Sequence, residues 1–292
     1  MDPKLANLIT GTLTTGAILS LISVGFVIMY RATKVVSFAQ GAFGLIGSFV
    51  FLGLINSHLG LYPSILLTIA INLAVGALTY QIVFSRIVGS EPFITAMATI
   101  GLAIVLEACA IMIWGSGPIL LPSVISGSTF HIWGSLAVTP TEIFIVGSAI
   151  VVFAVLILSL YRTRLGLKVL AVADAPRLAA YAGVNVVAIS ALAWAVSSAT
   201  AAVGGVAYIM TTQPGPDSVY SLGLIVFPAI LLGGLDSIVG ALVGGVVLAL
   251  VQNVVATYAD GTWTDIASYG LLLAVLLVRP QGLFGSAEVS RV

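Results

Sequence analysis

Charge is what this sequence has least of. Lys, Arg, Asp and Glu make up 20 of 292 residues, or 7%, where a soluble chain carries about 25% to stay wetted. A water-soluble domain of this size is therefore excluded. The ten basic and ten acidic residues cancel, and no basic patch with interleaved aromatics stands anywhere, which excludes a nucleic-acid partner. One cysteine, Cys109, excludes a disulfide within the chain. Lying in an apolar run, it reads as a small buried packing residue. The two histidines, His58 and His131, lie far apart in polar breaks and do not make a metal pair. There is no HExxH, no GxSxG with partners and no cluster of Cys and His at ligand spacing, so neither a catalytic centre nor a metal site is expected. GxxxxGK[ST] is missing too. The chain then hydrolyses no nucleotide through a P-loop and needs no cofactor of its own; if ATP drives it, another subunit supplies the site.

What the sequence has is apolar length. Hydrophobic residues make up 60% and the mean hydropathy is +1.21. A helix needs about 20 apolar residues to span a bilayer. Candidate spans lie near 8–30, 35–56, 61–83, 93–114, 143–160, 184–211, 220–233, 238–257 and 266–279. Only structures that satisfy their own backbone can span, so the fold class is all-α: a polytopic membrane helical bundle of eight or nine transmembrane segments, forming one domain over residues 1–292. The opening MDPKLANLIT has no basic stretch and no small-residue cleavage site, so it is expected to be retained. If nine spans start outside, the inner loops hold Arg31, Lys34, Arg86, Arg162, Arg164, Lys168, Arg177, Arg279 and Arg291, and the outer side holds only Lys4. Basic loops stay in the cytoplasm. This puts the segment from Gly115 to Glu142 outside. It would reverse the N-terminal end only if the Arg31–Lys34 turn were a break inside the membrane.

Within the spans, glycine recurs in pairs or at four-residue spacing: Gly204-Gly205, Gly233-Gly234, Gly240 with Gly244, and Gly244-Gly245. Small residues let helix backbones approach in lipid, and such pairs are either tight packing or a sliding surface. Polar residues are few: Gln40, Asn72, Gln81, Glu107, Gln252 and Asn253. An intramembrane carboxylate such as Glu107 is a candidate for the transport path or a hydrogen-bonded structural group. One carboxylate makes no proton relay, so the energy for transport is expected from elsewhere.

Five charges sit together in RTRLGLKVLAVADAPRLAAYAGV, residues 162–184: Arg162, Arg164, Lys168, Asp174 and Arg177. Here Asp174 is a candidate N-cap, Pro176 suits a first turn and Gly183 suits the position past a last turn. A two-turn helix over 175–182 is predicted, with Leu178, Tyr181 and Ala182 as a small apolar face. Such a face on the cytoplasmic side calls for a partner protein, or for lipid beneath an interfacial helix.

Five blocks then occur in order over most of the chain: GFVIMYRATKVVSFAQGAFGLIGSFV (25–50), ITAMATIGLAIVLE (94–107), RTRLGLKVLAVADAPRLAAYAGVNV (162–186), ILLGGLDSIVGALVGG (230–245) and LLLAVLLVRPQGLFG (271–285). Together they resemble the LivH-type permeases of branched-chain amino acid ABC importers. The resemblance implies a multi-pass subunit of the bacterial inner membrane. Its implied partners are a second permease, LivM-like or a second copy, two cytoplasmic ATPase subunits that use ATP, and an extracytoplasmic solute-binding protein. It implies a coupling helix in the 162–185 loop, with Arg162, Arg164, Asp174, Arg177, Leu178, Tyr181 and Gly183 at the ATPase contact. It further implies that Ser37, Phe38, Gln40, Gly41 and Glu107 lie along the translocation path, and that the 115–142 segment helps dock the binding protein. Where the family often reads Asn-Phe-Ala-His-Gly, this chain reads Ser37-Phe38-Ala39-Gln40-Gly41. A role carried by that histidine is not transferred, and the solute stays open between branched-chain amino acids and urea, short amides or another amino acid. The rival without a motor is a stand-alone carrier or channel.

Overall fold

A computed structural model of the chain describes residues 3–87, 91–122, 124–125, 127–132, 136–259 and 261–285. Its elements run α1 (Pro3–Thr33), α2 (Gln40–Asn56), α3 (Leu61–Ile82), α4 (Pro92–Trp114), β1 (Phe130–Ile132), β2 (Leu136–Val138), α5 (Pro140–Arg162), α6 (Arg164–Asp174), α7 (Pro176–Tyr181), α8 (Val186–Thr211), α9 (Pro216–Gly233), α10 (Ile238–Tyr258) and α11 (Thr264–Val278). Among the described residues, eight helical stretches are long and apolar enough to cross a membrane, and α2 is a shorter apolar helix. The all-α polytopic bundle expected from composition is what forms.

The first helix is the centre of the bundle, not its edge. From Gly16 to Met29 every residue of α1 is buried, because α5, α8, α9 and α10 surround it. Small residues make this possible. A Cβ on Gly25 would run into the Thr200 hydroxyl and the Gln40 amide, and one on Gly245 into Ser20. The glycine pairs act in the same way: Gly205 lies against the backbone of Gly44, and Gly233 against Gly240. Hydrophobic association does not draw helices together in lipid, so close backbone approach is what holds this core.

These contacts also set direction. Ile22 meets Gly204 while Gly25 meets Thr200, so α1 runs antiparallel to α8. Gly76 lies against Trp194 and Ala195, and Asn72 accepts a hydrogen bond from Ser198 Oγ at 3.4 Å, so α3 is antiparallel to α8 as well. Arg31, Lys34 and Arg86 therefore share the membrane side of the 162–184 loop, which makes that side cytoplasmic. Arg291, also assigned to this side from sequence, lies outside the described residues.

Three expectations need correcting. The second span begins at Gln40 rather than at residue 35, because residues 34–39 leave the helix; Lys34 takes a left-handed φ of 55°. The 143–160 and 220–233 spans are longer, running from Pro140 to Arg162 and from Pro216 to Gly233. Cys109 is exposed on α4 rather than buried, since α4 is a peripheral helix with most of its surface open to lipid or another chain.

Candidate functional site

The departure from helix between α1 and α2 lies deep in the bundle. Gln40 Nε2 donates to the carbonyls of Ile22 and Ser197, both at 3.2 Å, and Ser197 Oγ donates back to Gln40 Oε1 at 3.0 Å. Ile22 lies eleven residues before the inner end of α1, and Ser197 eleven after the inner end of α8. At 1.5 Å per residue both place Gln40 about 16 Å into the membrane, half the thickness of a hydrocarbon core of roughly 30 Å. The chain thus leaves α1 at the cytoplasmic side, re-enters as non-helical backbone, and starts α2 near the bilayer midplane.

Backbone outside a helix must find partners at that depth. Thr99 of α4 supplies two: its hydroxyl accepts from Phe38 N at 3.2 Å and faces the Val36 carbonyl at 3.3 Å. Ser37 Oγ accepts from Ala39 N at 3.2 Å. Gly41 then lets α2 cross α9, since a Cβ there would collide with the Tyr220 carbonyl. Of the expected path residues, Ser37, Gln40 and Gly41 are buried, whereas Phe38 is half-exposed and stacks on Phe227 of α9 at 5.0 Å. Phe26 of α1 meets the same Phe227 edge-on at 5.4 Å. Glu107 is not hydrogen-bonded into this cluster. It stands half-exposed on α4, within Coulombic range of Asp217 and Tyr220 at the outer half of α9.

Cavities lie on both sides of this aromatic layer. Toward the outside, one of about 440 Å³ is lined by Thr14, Leu19, Tyr208, Leu222, Gln252 and Asp265, among others. Toward the cytoplasm, one of about 290 Å³ is bordered by Tyr30, Lys34, Leu231 and Asp236. The sequence reading missed both; scattered Thr, Gln and Asp on four helices carry no shared motif.

Replacing Gln40 by Leu leaves the buried Ser197 hydroxyl without its acceptor and takes the second hydrogen bond from the Ile22 and Ser197 carbonyls, which keep their helical partners and, at Ser197, the Thr200 hydroxyl. An orphaned buried group costs about 1–3 kcal/mol. The expected result is a clear fall in the thermal unfolding midpoint of the detergent-purified protein, to which adding Ser197→Ala contributes little because the two share one network.

The cytoplasmic loop is more ordered than its charges suggested. The Thr163 side chain caps α6, accepting from Gly166 N at 3.2 Å. That helix continues through Asp174, which therefore ends α6 instead of capping the next helix. The N-cap of α7 is Ala175, without a side-chain hydrogen bond, and Pro176 takes the first turn as expected. The helix is six residues long, and Ala182 is its C-cap. Gly183, at φ +79°, closes a Schellman motif: its N–H bonds the Ala180 carbonyl and Val184 N–H that of Ala179, both at 3.0 Å. Ala179 is buried against Val172 of α6 and Ile189 of α8. This leaves Leu178 and Tyr181 standing outward, 68% and 89% exposed, with Arg177 exposed beside them. The expected apolar face is present and uncovered. Arg162 and Arg164 lie at the other end, where α5 turns into α6.

On the outer side, β1 and β2 pair as an antiparallel hairpin that the sequence reading did not expect. The Ile119 N–H bonds the Pro214 carbonyl at 2.9 Å, tying the segment before the hairpin to the entry of α9.

Comparison with known proteins agrees with this architecture. LivH of Salmonella typhimurium, a high-affinity branched-chain amino acid transport system permease protein, is 29% identical over 96% of this chain and 95% of its own length. BraD of Pseudomonas aeruginosa, described in the same words, is 28% identical over 99% and 98%, and the probable LivH of Methanocaldococcus jannaschii is 26% identical over 95% and 92%. No solved structure matches the chain significantly. The family described as "Branched-chain amino acid transport system / permease component" matches residues 8–276. The chain belongs to this family of ABC-importer permease components, multi-pass proteins of the inner membrane that are not enzymes in themselves.

Proposed function

We propose that the chain imports a branched-chain amino acid, driven by ATP that two cytoplasmic ATPase subunits hydrolyse, and that it works with a second permease subunit and an external solute-binding protein. The observation that carries this reading is α7, a short helix closed by a Schellman motif and anchored through Ala179, whose Leu178 and Tyr181 project uncovered on the cytoplasmic side. A stand-alone carrier has no use for such a rigid outward knob; a motor-driven permease needs one to receive force. Arg177, Asp174 and Gly183 beside it complete the ATPase contact, while Arg162 and Arg164 stand at the far end of α6.

Movement of α7 is transmitted through Ala179 to α6 and α8, and α8 holds Gln40 at the start of α2. The path closes at the layer formed by Phe26, Phe38 and Phe227 and opens to the outer and inner cavities in turn. Ser37, Gln40 and Gly41 hold that layer in place, and Glu107 stands near the outer entrance. The hairpin and the segment around Ile119 receive the binding protein.

Competition for labelled leucine uptake by the assembled transporter tests the solute. Excess isoleucine and valine are expected to suppress uptake at least tenfold and urea not at all. Suppression by urea or acetamide, with none by valine, would move the assignment to amides.

A further inference from the structure

We infer that the inner mouth of the bundle holds one anionic phospholipid, its headgroup at the α5–α6 turn and an acyl chain in a groove between α1, α5 and α8. The groove has a volume of about 170 Å³ and is lined by Ile28, Leu156, Leu165, Leu192 and Val196, among others. Leu156 lies six residues before the end of α5, and Val196 ten residues into α8. The slot thus extends about 9–15 Å into the hydrocarbon from its cytoplasmic mouth, the depth of most of one acyl chain in a leaflet about 15 Å thick.

The groove exists because α6 folds back at once: Gly166 sits directly on the Leu160 backbone, where a Cβ would collide with its carbonyl. This sets Leu165 at the lip. The mouth is strongly cationic. Arg162, Arg164 and Lys168 are all exposed there, the last one turn along α6 from Leu165, and Arg31 stands one turn beyond Ile28 on α1. No Asp or Glu occurs between Glu142 and Asp174, and Asp174 is ten residues, about 15 Å, from Arg164 along α6. Exposed Tyr161 at the same level suits the headgroup region. A slot of fatty-chain depth under several exposed cations, on a stretch of α5 and α6 that carries no acid before Asp174, at the cytoplasmic membrane surface, matches a phospholipid with negative headgroup charge. Neither a zwitterionic lipid nor a soluble anion satisfies both parts.

The test is native mass spectrometry of the purified full transporter, without ATP or solute, so that the result is independent of the import reading. The complex is titrated with phosphatidylglycerol or phosphatidylcholine. One phosphatidylglycerol is expected to be retained at least tenfold more strongly than phosphatidylcholine. R164A/K168A is expected to abolish that preference, and Leu192→Trp, which fills the slot and keeps every charge, to remove the bound lipid. Retention unchanged in either variant, equal retention of the two lipids by the wild type, or displacement of the bound lipid by 10 mM inorganic phosphate would overturn the proposal.

Discussion

Gly41→Val is expected to abolish folded permease, whereas Gly101→Val is expected to leave it intact. At Gly41 a Cβ meets the Tyr220 carbonyl and the Gly223 backbone; at Gly101 nothing lies within 4 Å. Overpacking a close-packed interior costs about 1–3 kcal/mol or more. The cost at Gly41 is at the high end because the obstructing atoms are main chain and have no rotamer to change. Displacing α2 would also break its bonds to α1 and α8 through Gln40 and the bonds that Thr99 makes to residues 36–38. Fluorescence-detected size exclusion of tagged variants measures the difference. A monodisperse Gly41→Val protein with wild-type thermal stability would show that α2 does not cross α9 at this glycine.

The second large effect is functional. Leu178→Asp with Tyr181→Asp leaves α7 itself intact, because Pro176, Ala179 and Gly183 are untouched and both substituted side chains already face water. Burying a large apolar side chain at an interface stabilises it by about 1.5–3 kcal/mol, so losing two weakens ATPase docking by about 3 kcal/mol or more, over 100-fold in affinity. The expected result is a permease of normal stability that no longer co-purifies with its ATPases, and uptake at background. Normal co-purification would place the contact elsewhere on the cytoplasmic face.

Much of this architecture can be read from the sequence, and the parts that cannot share a cause. Spans appear as apolar length, and their direction appears in the placement of Lys and Arg. The end of α7 was legible because Gly183 is the residue that a left-handed position requires, and its start because Pro176 lacks an N–H. The re-entrant stretch was not legible: Val35, Val36, Phe38 and Ala39 have the composition of any span. What holds them out of a helix is a hydroxyl on Thr99, more than sixty residues away. Asp174 was misplaced for the opposite reason. Its local capping signal is sound, but a helix already started at Thr163 runs through it, and continuing a helix is easier than nucleating a new one. The α6 helix did leave a trace, with Gly166, Val169, Val172 and Ala173 at helical spacing, which the cluster of charges around it masked.

For the site, Phe38, Gln40 and Gly41 were legible only through the resemblance carried by their block; no periodicity marks them. The structure places them at the midplane break, beside a partner residue, Phe227, that no motif singles out. Glu107, alone in its helix by sequence, gains Asp217 and Tyr220 as neighbours only once α9 is in place.

The central claim is that transport is driven through the cytoplasmic face of this chain. The most direct measurement is uptake of labelled leucine into proteoliposomes holding the full transporter, with loaded binding protein outside and ATP either enclosed or omitted. The same assay is repeated on the Leu178→Asp/Tyr181→Asp variant. Uptake that requires enclosed ATP and is lost in the variant is the predicted result. Leucine entering at the same rate without ATP, or through the variant, would contradict the claim and leave the 162–184 loop as an orientation signal alone.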